Sequence, residues 1–121
     1  MEYIQIYWTC GSLDEARTIS RQLVQAKLVA CANIIPWIES VFMWNNELDT
    51  SQETKVIFKT REGCFEEVKN FILKNARYEV PEILKVPILG GNPEYLEWVS
   101  DSTQSNPSIT ERLSEIPIEN F

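Results

Sequence analysis

A chain of 121 residues, 44% hydrophobic and 24% charged, has the size and composition of one globular domain that needs no disulfide or metal to hold its core. A net charge of −7 argues against a general nucleic-acid partner or an anionic-membrane partner. No run approaches the ~18 apolar residues of a membrane-spanning helix.

The opening MEYIQIYW has no basic segment ahead of an apolar one, so no signal peptide is expected. Tyr3 to Thr9 alternates Ile4, Ile6 and Trp8 against Tyr3, Gln5 and Tyr7, the period of a strand. Gly11 breaks it. Ser12 with Glu15 three residues on predicts a capping box and a helix start. Ala16, Ile19, Leu23 and Ala26 then recur at helical spacing, with an end expected near Lys27.

Leu28 to Lys59 reads as one long β-hairpin. Its first arm is rich in β-branched and aromatic residues, from Val29 to Trp44. Pro36 inside that arm donates no amide hydrogen, so it predicts a bulge or an exposed edge. NNELDTSQ reads as a polar tip. In the second arm Glu53, Lys55, Ile57 and Lys59 face one way, and Thr54, Val56, Phe58 and Thr60 the other. An arm well beyond the typical ~5–6 residues of a strand must project from a domain this small. A neighbouring subunit is the simplest support for it.

TREGCFEEVKNFILKN turns helical, with Phe65, Val68, Phe71 and Ile72 as the buried stripe and Glu66, Glu67, Lys69 and Lys74 facing water. Ala76-Arg77-Tyr78 is a connection. Glu82 to Ile88 is a strand, and Pro81 and Pro87 at its margins mark it as an outer one. Asn92-Pro93-Glu94 combines an N-cap, a proline at the first helical position and an acid at the positive dipole end. Tyr95, Leu96, Trp98 and Val99 give that short helix an apolar side. The order β-α-β-β-α-β predicts an α+β, ferredoxin-like domain over residues 1–100. It implies an antiparallel sheet, both main helices on one face and the other face uncovered. Residues 101–121 read as a polar linker, SDSTQSNPS, and a weakly docked tail carrying Ile109, Leu113 and Ile116.

Chemistry is sparse. Histidine is absent, which removes the commonest transition-metal ligand and the usual general base near neutral pH. A Ser-His-Asp triad and HExxH are therefore excluded. Cys10, Cys31 and Cys64 are odd in number and form no CxxC, as expected of free thiols in a reducing cytoplasm. Cys10 is the best-placed nucleophile, at a strand end before a helix N-terminus that lowers a thiol pKa. Against that stands its reading as a small half-buried residue. Glu79 and Glu82 flank Val80-Pro81. Glu53 and Lys59 share a strand face, as a polar site or an ion-pair ladder.

The runs LVACANIIPWIESVFMW and KT, then YEVPEI, then GNPEYLEWV, resemble the CutA family of divalent-cation tolerance proteins over roughly residues 3 to 100. The resemblance implies a ferredoxin-like subunit in a homotrimer, its long hairpins packed around a threefold axis, in a cytoplasmic bacterial or organellar setting. It also implies a copper site made by a cysteine at the end of the first strand and a histidine pair before the PEI run. Cys10 matches the cysteine, but Asn75 and Ala76 stand at the histidine positions, and Arg77 replaces the usual proline before Tyr78. The metal site is therefore expected to be incomplete, because a lone thiol serves copper(II) poorly. Trp44, Lys59, Tyr78, Glu82 and Trp98 match recurrent family residues, and by resemblance they line a cleft between subunits.

Two functions remain. One is a trimeric, non-enzymatic protein of divalent-cation (copper) tolerance or response. The other is a small-ligand sensor or signalling trimer analogous to PII-type regulators, which rests on fold analogy. An enzyme using Cys10 or the Glu and Lys cluster is the third and least supported, so no enzymatic activity is expected.

Overall fold

A computed structural model describes residues 2–104. The tail positions Ile109, Leu113 and Ile116 lie outside the described residues. Chain order gives strand β1 (Tyr3–Cys10), helix α1 (Leu13–Gln25), strands β2 (Cys31–Trp44) and β3 (Glu47–Arg61), a 3-10 turn at Glu62–Cys64, helix α2 (Phe65–Asn75), strand β4 (Glu82–Ile88) and helix α3 (Pro93–Asp101). The four strands lie in the order β2-β3-β1-β4, each pair antiparallel. This is the ferredoxin-like fold that the element order predicts.

The period of β1 sets the layers. Ile4, Ile6 and Trp8 are buried with Val56 and Phe58 of β3, and with Ala16, Leu23, Val68 and Ile72 from α1 and α2. Trp8 and Phe58 stack with ring centroids 6.3 Å apart. Phe65, expected in the buried stripe of α2, is only half-buried, and Lys69 and Lys85 hold their ammonium groups over its ring at 5.8 and 5.1 Å.

Half of the expected capping box forms. Ser12 Oγ accepts the amide hydrogen of Glu15 at 3.3 Å. The Glu15 carboxylate does not return to Ser12. It accepts the amide hydrogen of Arg77 instead, at 2.7 Å. The helix ends without a glycine. Lys27 takes a left-handed φ of 62°, Leu28 N–H reaches Leu23 O at 3.1 Å, and Lys27 N–H reaches Val24 O at 3.0 Å. That pair of bonds is a Schellman motif.

The hairpin departs from expectation at its tip. NNELDTSQ is not a loop, because pairing runs out to Trp44 opposite Glu47, leaving only Asn45 and Asn46 as the turn. Their φ values of 51° and 65° make it type I′, which suits the twist of the flanking strands. Pro36 sits in a bulge, as predicted. The register shifts between Ile35 and Ile38, and Trp37 is forced to φ 61°. β2 is an edge strand as well. The outer half of the hairpin is bare on both faces, with Trp44 65% and Leu48 72% exposed.

Among the described residues β4 pairs only with β1, so Pro87 costs no inner ladder bond. The face opposite α1 and α2 is not wholly open. Tyr95 Oη on α3 meets Cys31 Sγ at 3.6 Å, and the end of α3 is tied to Arg61. Cys31 and Arg61 both point to that face, so α3 covers one end of it. Of the apolar side expected for α3, Val99 alone is buried. Ordered packing continues beyond Ser100. Arg61 donates to Thr103 Oγ1 at 2.7 Å and to its carbonyl at 2.8 Å, and Gln104 N–H donates to Lys27 O at 2.7 Å.

Candidate functional site

The site is built around the end of β1. Cys10 closes that strand opposite Thr54 and points into the helix side. It is 1% exposed, and its thiol donates to Ser12 O at 3.4 Å. Burial pushes the thiol up to about 11, and the charges of Glu15 and Glu53 add to the rise. The lowering expected from the helix N-terminus is therefore overridden, and at neutral pH the group is a protonated thiol rather than a nucleophilic thiolate.

Tyr78 comes from the connection between α2 and β4. Its hydroxyl lies over Gly11, where an added Cβ would sit 2.7 Å from it. That approach requires glycine. The hydroxyl also donates to Glu53 on β3. Burial first, then this bond and the nearby charges of Glu53, Cys10 and Glu15, push Tyr78 up to about 12.

Beside it runs a row across three strands. Thr9 Oγ1 donates to Glu82 Oε2 at 3.2 Å, and Lys55 Nζ stands 3.6 Å from Glu82 Oε1. Lys55 also covers the Tyr7 ring at 4.5 Å. Among the described residues Glu53 and Lys59 do not form the ion-pair ladder with a partner strand that their shared face suggests. Glu53 holds Tyr78, and Lys59 bonds Asn33 on β2.

The sequence-predicted residues fall into two groups. Trp44, Tyr78 and Glu82 line one open cleft of about 810 Å³, together with Asp49, Glu53 and Glu79. Cys10 is not among its lining residues and lies in the core on the helix side of the sheet. Lys59 and Trp98 lie apart, Lys59 against Asn33 and Trp98 against the Tyr95 ring at 5.5 Å. Tyr95 is pushed up to about 12 by its bond to Cys31 and then by burial. Glu15 and Glu53, the two carboxylates beside the Arg77-Tyr78 segment, look in the sequence like a helix cap and part of a strand ladder. Each had a local explanation, and no local pattern points to a partner so distant.

Metal ligation fits poorly. Among the described residues no three Cys, Asp or Glu side chains converge as a metal site. Asn75, at a histidine position by resemblance, spends its side-chain amide on Phe71 O at 2.8 Å, and Ala76 brings no donor. Glu15 and Glu53 are occupied by Arg77 and Tyr78. A single protonated thiol with two engaged carboxylates does not make a copper(II) site within one chain.

A ferredoxin-like domain with an overlong β2–β3 hairpin and a buried cysteine at the end of its first strand is the class defined by this architecture. The CutA1 divalent ion tolerance protein family matches residues 4–102. The chain is 37% identical over 102 residues to "Protein CutA, chloroplastic" of Arabidopsis thaliana, covering 84% of this chain and 56% of that one. It is 39% identical over 95 residues to the divalent-cation tolerance protein CutA of Thermus thermophilus, covering 78% and 92%. The crystal structure of CutA1 from Oryza sativa superposes with a TM-score of 0.84 at 36% identity, covering 88% of this chain and 97% of that one. The chain spans little more than half the length of the plant relatives it matches. It belongs to the CutA1 divalent ion tolerance family.

Proposed function

We propose that the chain acts as a homotrimer in divalent-cation tolerance or response, by binding rather than catalysis, with a copper(II) site of its own that is incomplete. Family membership supports the cation link. The bare outer hairpin supports self-association, because exposed aromatic and aliphatic side chains on both faces need a partner to leave water. All three cysteines are free, which fits the proposed cytoplasmic, reducing setting. No nucleic-acid or membrane partner is part of this reading, in keeping with the net charge of −7.

The observation that carries the metal half is the setting of Cys10, buried, its thiol bonded to Ser12 O and lacking the imidazole neighbours that copper(II) prefers. Calorimetry with copper(II) at neutral pH tests it on wild type, Cys10→Ser and Ala76→His. Weak wild-type binding, strengthened by Ala76→His, is expected. Tight wild-type binding abolished by Cys10→Ser would overturn the reading.

A second reading, a small-ligand sensor or signalling trimer analogous to PII-type regulators, is favoured by one observation. The cleft at Trp44, Tyr78 and Glu82 has the volume of a small-molecule site. A thermal-shift screen of metabolites without metal separates the two readings. Stabilisation by an organic ligand that Tyr78→Ala abolishes supports the sensor.

A further inference from the structure

Trp37 follows Pro36 in the β2 bulge at a φ of 61°, where a bulky side chain is strained. A glycine would hold that backbone without strain. The subunit gives the ring little in return, since it is 70% exposed. A large aromatic kept in a strained conformation and left in water points to a contact outside the chain.

Strand register fixes the level of that contact. Ile35, Lys55, Thr9 and Glu82 form one row across the four strands. Trp37 lies two residues beyond Ile35, and Val80 lies two residues before Glu82. β2 and β4 run in opposite directions, so Trp37 and Val80 stand on the same side of that row, at opposite edges of the sheet. Val80 is 91% exposed and lines the cleft with Trp44, Tyr78 and Glu82. Among the described residues β2 and β4 are the two free edges of the sheet. A closed ring of three copies needs heterologous contacts, in which one patch meets a different patch, and two β2 edges facing each other cannot supply them. Rotation about an axis along the hairpins keeps each residue at its own level. The β2 edge of one copy then meets the β4 edge of the next, with Trp37 level with Val80.

We propose that the partner subunit's Trp37 seats on Val80 and closes the cleft at Trp44, Tyr78 and Glu82, which is incomplete in one chain. Ile34 to Ile38 carries no charge, so the contact is made by shape and exclusion of water rather than by ion pairing. The inference rests on the homotrimer reading and deepens it, by naming the residue that each copy lends to the next.

A charge swap across the contact tests it. Light scattering over a dilution series, in a fixed guanidinium concentration below unfolding, gives the protein concentration at which the trimer comes apart. Trp37→Glu and Val80→Lys are each expected to raise that concentration by about tenfold or more. The double variant should fall below either single one, because the new charges attract across the interface. Trp37→Gly removes the ring and relieves the backbone, so it should weaken the trimer while the circular dichroism of the fold is kept. A trimer unchanged in both Trp37 variants would overturn the proposal. Losses that simply add in the double variant would do the same, since they would show that the two residues do not meet. A wild-type mass of 14.0 kDa would remove the homotrimer itself and this contact with it, whereas failure in the variants alone removes only the contact.

Discussion

Glu15 and Arg77, separated by 62 positions in the chain, are joined by a 2.7 Å bond from the Arg77 amide to the Glu15 carboxylate. The bond fixes the α2–β4 connection to the start of α1. A hydrogen bond to a charged group contributes about 1.5–3 kcal/mol. Glu15→Ala should therefore lower stability by about that amount in guanidinium unfolding, and Glu15→Gln, which keeps an acceptor, by less. A loss within about 0.5 kcal/mol for the alanine variant would mean that the connection is held elsewhere.

Stability should fall in alkali. Burial raises the Cys10 thiol from 9.0 to about 11, so the folded state keeps a proton that the unfolded chain releases. The contribution is complete below pH 9.0 and is lost as pH rises towards about 11. Tyr78, raised from 10.0 to about 12, extends the loss upward. The urea midpoint should drop between about pH 9 and pH 11, and Cys10→Ala should flatten the drop. A wild-type midpoint that rises over that range would contradict the burial of a protonated thiol.

Lys27 occupies a left-handed position, φ 62°, that the Schellman end of α1 demands. A residue with a Cβ is strained there by roughly 1–2 kcal/mol, partly offset by the backbone entropy a glycine loses on folding. Lys27→Gly should stabilise the fold by about 1 kcal/mol in chemical denaturation. A destabilised variant would show that the Lys27 side chain contributes more than its backbone strain costs.

Much of this architecture is legible in the residues themselves. Pro36 announces the bulge because it lacks an amide hydrogen, the Val56–Phe58 alternation fixes which face of β3 is buried, and Asn92-Pro93 starts α3. The hairpin tip is not legible. Glu47 to Gln52 looks like loop because it is polar, yet backbone pairing alone makes it strand, and with water on both faces no alternation is imposed. The site is legible by halves. Cys10 stands out by its place at a strand end before a helix, Tyr78 only through resemblance, and the approach of Tyr78 to Gly11 is one that no spacing rule encodes. Glu53 and Lys59 share a strand face, but a shared face does not choose the cross-strand neighbour, and Lys59 meets Asn33 rather than an acid.

The end of the described chain should be structural up to Gln104. Arg61 clamps Thr103 at 2.7 and 2.8 Å, and Cys64 Sγ reaches Gln104 O at 3.6 Å. A protein ending after Gln104 should keep the wild-type melting temperature. One ending after Ser100 should lose several degrees, at about 1 kcal/mol per 4–8 °C for a domain this size. Equal melting of the two would show that the clamp is dispensable.

Self-association through the hairpin is the claim on which the rest depends, since Trp44 and Leu48 stand exposed in one chain. Light scattering on purified protein at micromolar concentration measures it directly. The account predicts a mass about three times the 14.0 kDa of the chain, lowered by Trp44→Ala as the association weakens. A wild-type mass of 14.0 kDa across that range would contradict it.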